Sequence, residues 1–173
     1  MAAIIEFATG LEYLVAYIIL VLLYTLHKMK YTYKKSLGLL SRSISKELGD
    51  RLEQKLKAQN INITADQWSV LSMLRHEGES SQKNISDVFG YDKVRVLRIV
   101  RNLEDKGMLN KRVCRHDRRT RIVSLTSEGM SLYVKIHPIA EATINEATKS
   151  LSKREVDFYT ELSQKIIRNL KAH

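Results

Sequence analysis

Arg95, Arg98 and Arg101 recur at every third residue, and a second basic cluster, Arg115-His116-Asp117-Arg118-Arg119-Thr120-Arg121, follows soon after. A guanidinium offers five N–H donors in a flat fork that matches phosphate oxygens and the edge of guanine. This concentration of arginine therefore points to recognition of a polyanion. Between Asp92 and Arg121 eleven Lys and Arg stand against four Asp and Glu, a local excess of seven out of a net charge of +10. The segments before Ser81 and after Gly129 carry only +2 each, so the charge is focused in a way that favours nucleic acid over a diffuse membrane attraction.

Other chemistry finds little support. There is no nucleophile elbow, no phosphate-cradling glycine loop and no pair of catalytic carboxylates. His27, His76, His116, His137 and His173 show no metal-ligand spacing, and Cys114 is the only cysteine. The expectation is of a protein that is not an enzyme and uses no cofactor or metal. Basic neighbours would favour a thiolate at Cys114, so a redox switch and an ordinary hairpin residue both stand as readings. Trp68 and Tyr133 fit either a ligand-lining role or plain core packing.

The basic clusters need a scaffold, and the sequence outlines one. Val96, Ile99, Val100 and Leu103 fall at helical spacing opposite the three arginines, so one face of that helix packs while the other offers cations. Asp92 is placed to cap it and Gly107 to end it, and a shorter helix from Ser81 to Phe89 precedes it across a turn at Gly90. Met108 to Thr126 alternates like a hairpin whose tip is His116 to Thr120, with Val113 expected opposite Val123 and Leu125. The helix, turn, helix and basic hairpin together read as a winged helix-turn-helix.

Amphipathic helices flank this unit. One is expected from Tyr33 to Ala58, with Leu37, Leu40, Ile44, Leu48, Leu52 and Leu56 on its apolar side; another opens at a Thr64/Gln67 capping box and stops at Gly78. After the hairpin, Thr126 caps a long helix in which Pro138 should kink or interrupt the ladder. Ser152 and Glu155 box the start of a last helix carrying Val156, Tyr159, Leu162, Ile166 and Leu170. The fold class is mainly α with a small β-hairpin wing. Its DNA-binding lobe spans about residues 64–126, and its pairing helices span about residues 33–58 and 127–171. So much apolar helix face exceeds what one small lobe can cover, and a second subunit, with Leu162, Ile166 and Leu170 in the contact, is the economical cover.

Residues 1–28 differ from the rest. Tyr13 to Leu26 has no charged residue, and extending it back to Ile4 gives a run long enough to span a bilayer, broken by Glu6 and Glu12. Lys28, Lys30, Lys34 and Lys35 follow, which by the positive-inside rule would leave the remainder at the inner, cytoplasmic face of the cell membrane. Three readings stay open for residues 4–26: a membrane tether, an extension upstream of a start at Met29, and an apolar helix buried in a dimer.

The order of elements, with Asp117-Arg118-Arg119 followed by Leu125-Thr126-Ser127-Glu128-Gly129, resembles the MarR family of bacterial transcriptional regulators over about residues 34–172. The resemblance implies a homodimer that binds a palindromic double-stranded operator, usually as a repressor, and that is released by a small aromatic or phenolic effector. It puts Val94, Arg95, Leu97 and Arg98 where the family's recognition helix meets bases and Asp117 and Arg119 at its wing pair; with the neighbouring cations Lys93, Arg101, Arg115, Arg118 and Arg121 these are the expected DNA contacts, the other reading being that Leu97 packs sideways and Arg101 touches only phosphate. In the family's wing pair the carboxylate, here Asp117, braces the hairpin while the arginine, here Arg119, enters the minor groove. Small hydroxyl residues are frequent at the start of the family's recognition helix, and Val94 departs from that pattern; apolar groups there would meet thymine methyls while Arg95 or Arg98 reads guanine. The rival reading is a membrane-tethered interaction module whose basic face meets protein or anionic lipid. Sequence preference separates the two, because a generic polycation has none.

Overall fold

The structure, a computed structural model, describes Ile18 and residues 33–172. The apolar run at residues 4–26 lies outside the described residues apart from Ile18, and among the described residues no helix is long and apolar enough to cross a membrane. The chain divides into two units, Met1–Ile44 and Ser45–His173. In the first, a single 3-10 turn (Tyr33–Lys35) precedes the start of helix α1 (Leu37–Ala58), so the helix begins later than the periodicity predicts. Leu37, Leu40 and Ile44 are exposed there.

In the second unit, α2 (Ala65–Glu77), α3 (Gln82–Phe89) and α4 (Lys93–Asp105) form the helical body of the lobe. Their ends are set by the residues the sequence singles out. Thr64 and Gln67 make a reciprocal capping box, Ser81 accepts from the Asn84 amide, and Asp92 accepts from the Arg95 amide. Gly90 takes the left-handed conformation that the tight α3–α4 turn demands, and the Ser86 hydroxyl closes that turn on the Tyr91 carbonyl. Gln67 also ties α2 to α4, its amide nitrogen donating to Asn102 Oδ1 at 2.6 Å. The core joins Leu52 and Leu56 of α1, Val70, Leu71 and Leu74 of α2, Ile85 of α3 and the inner face of α4.

A three-stranded antiparallel sheet follows, in the order β1 (Glu79–Ser81), β3 (Arg121–Leu125), β2 (Leu109–Val113). Two features differ from the sequence reading. β1 is an added strand, three polar residues long, whose pairing of Ser80 with Val123 roots the hairpin in the helical body. The hairpin register also shifts: Val113 lies opposite Arg121, Lys111 opposite Val123 and Leu109 opposite Leu125. Leu109, Val123 and Val113 share one face of the hairpin, but only Leu109 and Val123 are buried, whereas Val113, opposite Arg121 at the tip end of the ladder, is exposed.

Helix α5 (Ser127–Ala147) starts on the Thr126 cap and runs continuously past Pro138. Its first turn presses against the hairpin root, where a Cβ at Gly129 would collide with the Met108 carbonyl oxygen. The same carbonyl accepts from the Thr126 amide at 3.1 Å, and the Thr126 hydroxyl donates to the Gly107 carbonyl at 2.7 Å. The Leu-Thr-x-x-Gly motif is thus a joint between wing and helix. Farther along, Glu146 receives Arg51 and Lys55 of α1, and hydrogen bonds from Arg51 first and Lys55 second pull its carboxyl down to about 2. Helix α6 (Lys153–Lys171) begins at the Ser152/Glu155 capping box and has no buried residue.

Candidate nucleic-acid interface

The inner face of α4 is closed: Val96, Ile99, Val100 and Leu103 are each 5% exposed or less. Burial of those four side chains fixes which residues look outward, namely Lys93, Val94, Arg95, Leu97, Arg98 and Arg101, all exposed. Four of the six are cations and two are apolar. Val94 is 76% exposed and Leu97 55%, far from the state of their four buried neighbours.

The cations of this face are not equivalent. Arg95 is held on the protein, its Nε and Nη2 donating to both oxygens of Asp66 at 2.7–3.0 Å while its guanidinium lies 4.0 Å from the centre of the Tyr91 ring. The Tyr91 hydroxyl donates to Asp66 Oδ1 at 2.9 Å and closes the cluster. Burial, then the bond to Asp66, pushes the Tyr91 hydroxyl up to about 12, so it stays protonated and donating. The hydrogen bonds that it donates to Asp66 hold the Arg95 guanidinium above its usual range. Among the described residues no ion pair holds Arg98 or Arg101. Sequence reasoning missed Asp66, which lies a helix away with nothing local to announce it.

The wing shows the same division. Its stem cations are tied inward, Arg112 to both oxygens of Glu79 at 2.8 Å and Lys111 to Glu104 of α4. Its tip is built by backbone. The Cys114 amide donates to the Thr120 carbonyl and the Thr120 amide to the Asp117 carbonyl, each at 3.0 Å. Asp117 accepts from the Arg119 amide at 2.9 Å and from the Thr120 hydroxyl at 2.6 Å, and these bonds, the hydroxyl first, hold its carboxyl below the ordinary aspartate range. The carboxylate therefore shapes the turn from which Arg119 projects. Arg121 folds back on the Arg118 carbonyl at 2.8 Å, whereas Arg115, Arg118 and Arg119 stand exposed. Cys114 is half-buried in the hairpin.

Beside α4 lies a cleft of about 760 Å³ whose walls include Leu52, Trp68, Tyr91, Arg95, Arg98 and Ile144. Trp68 lines it, while Tyr133 stacks on Trp68 with ring centres 5.2 Å apart. Among the described residues no cluster of His, Cys, Asp and Glu could hold a metal ion.

Comparison with known proteins agrees with this geometry. The sequence profile of the MarR family matches residues 61–120, from the start of α2 to the tip of the wing. The HTH-type transcriptional regulator MhqR of Bacillus subtilis (strain 168) is 29% identical over 141 residues, which is 80% of this chain and 95% of MhqR. Among solved structures, a cysteine-to-serine mutant of MarR from E. coli complexed with operator DNA superposes with a TM-score of 0.69 at 24% identity, over 79% of this chain and 97% of that one. BpsR of Bordetella bronchiseptica, whose structure addresses regulation of its DNA binding by 6-hydroxynicotinic acid, gives a TM-score of 0.69 at 24% identity, over 79% of this chain and 96% of that one. These relatives lend no support to a membrane-tethered interaction module. Residues 61–120 thus match the MarR family, and over four fifths of its length the chain is similar to an HTH-type transcriptional regulator.

Proposed function

We propose that this DNA-binding regulator acts as a homodimeric repressor on a palindromic operator, α4 entering the major groove and the wing tip the adjacent minor groove. The observation that carries the reading is the partition of cations. Arg95, Lys111 and Arg112 are bound by carboxylates of the chain itself, while Arg98 and Arg101 on α4 and Arg115, Arg118 and Arg119 on the wing project outward from braced supports. An exposed cation on a rigid element is what phosphate and base-edge contacts require. Lys93, Val94 and Leu97 complete the helix surface, and Asp117 and Arg121 serve by shaping the wing.

The paired state rests on α6, which exposes Phe158, Tyr159, Leu162, Ile167 and Leu170 along one amphipathic helix with no cover. A two-fold axis through such a contact sets two recognition helices at palindrome spacing. The lobe at about residues 64–126 then reads, while α1, α5 and α6 pair. The cleft beside α4 has the size and mixed aromatic and charged walls of a small-molecule site, and BpsR is a relative in fold whose DNA binding answers to a small aromatic acid. By that analogy a small phenolic or aromatic effector entering here releases the operator.

Selection of bound fragments from the source genome, followed by affinity measurement at several salt concentrations, tests the proposal. The expected result is a palindromic site bound at least about a thousandfold more tightly than random duplex. Binding without sequence preference at any salt would overturn it, and a monomeric mass in solution at micromolar concentration would remove the dimer.

A further inference from the structure

Val94 and Leu97 raise a question that the cations do not answer. Exposed apolar side chains scattered singly on a surface are ordinary. These two, however, stand three residues apart on the outward face of α4, between Lys93 and Arg98, on a helix whose other aliphatic residues are almost wholly buried. They are not overflow from the core. The cation beside them, Arg95, is held by Asp66 and Tyr91, so Val94 and Leu97 form an apolar step on the exposed face between Lys93 and Arg98.

In the major groove only one base presents a hydrocarbon group, the 5-methyl of thymine. We infer that Val94 and Leu97 are specificity-determining residues that pack against thymine 5-methyl groups, so that each operator half-site carries thymines where these side chains fall. The inference rests on the operator-binding reading above and names what that operator must contain. Three residues of helix advance about 4.5 Å along the axis at about 1.5 Å per residue. Base pairs follow one another at about 3.4 Å. The two side chains therefore meet neighbouring or next-but-one base pairs, and the thymines lie within about two steps of each other. Arg98, one residue beyond Leu97 and one helical turn beyond Val94, is the nearest arginine that no carboxylate among the described residues holds, which sets a guanine contact beside the thymines and leaves Arg95 as a brace.

The test uses the full chain and its selected operator. Each thymine of a half-site is replaced in turn by deoxyuridine, which removes the methyl and nothing else. The expected result is a loss of about fourfold at one or two positions, the equivalent of one methyl group returned to water, and about sixteenfold when both half-sites are changed together. Val94→Ala and Leu97→Ala should each make the protein indifferent to deoxyuridine at one of those positions, with unchanged melting temperature because neither side chain is in the core. Equal affinity for thymine and deoxyuridine at every position, with preference for the operator intact, overturns the inference and leaves the regulator reading standing. Full deoxyuridine sensitivity in both alanine variants also overturns it. A parent protein that prefers no duplex over random DNA fails earlier and removes both readings.

Discussion

The recognition helix and the wing are held by different physics. Helix α4 is positioned by four aliphatic side chains with almost no exposure, capped by Asp92 and pinned by Gln67 and Asp66 from α2. The wing is positioned by ladder hydrogen bonds, by Glu79–Arg112 and Glu104–Lys111 at its stem, and by the Asp117 turn at its tip. Apolar burial resists salt and pH, whereas exposed ion pairs and carboxylate turns do not. Orientation of the helix is thus a property of the fold, and orientation of the wing is tuned by solution conditions.

The sharpest way to break this contrast is to attack the helix from beneath. Leu103→Ala should lower unfolding free energy by about 2–5 kcal/mol, read by urea denaturation, and take DNA binding with it. A variant as stable as the parent would show that the helix is not held by burial. Next in size, Arg98→Ala should leave the melting curve alone but cost about 1–3 kcal/mol of discrimination between operator and random duplex. Equal losses on both DNAs would make Arg98 a phosphate contact.

On the wing the expected effects are smaller and conditional. Asp117→Ala should weaken operator binding through a loosened turn, and Arg119→Ala through the lost contact, with neither changing the melting curve. Because the folded-state carboxyl of Asp117 is held below its unfolded value, its contribution to the turn is present above about pH 4 and is lost as pH falls through the lowered value. The Arg119 amide resonance should follow that titration in the parent and not in Asp117→Ala. Smallest of all, Arg112→Ala removes an exposed pair and should cost no more than about 1 kcal/mol, diminishing further at high salt. A larger cost would mean that the stem is carried by charge after all.

What the sequence made legible follows the range of each signal. Caps, the Gly90 turn and the two faces of α4 depend on neighbours three or four residues away, and the structure has them as expected. β1 escaped because three polar residues show no alternation, and the hairpin register because a basic stem offers too few apolar residues to distinguish one pairing from the next. The Asp66–Tyr91–Arg95 cluster escaped for another reason. Its members lie on separate elements, and only folding reveals that one of the three arginines of the helix already has a partner.

At the root of the wing, Gly129 leaves no room between α5 and the Met108 carbonyl, and Thr126 bonds to both residues that open the hairpin. A contact with no slack transmits displacement instead of absorbing it. Whatever rotates α5 must carry the hairpin root along, so a small tilt of that helix is magnified at the arginines of the tip by the length of the hairpin, as a short crank moves a long arm.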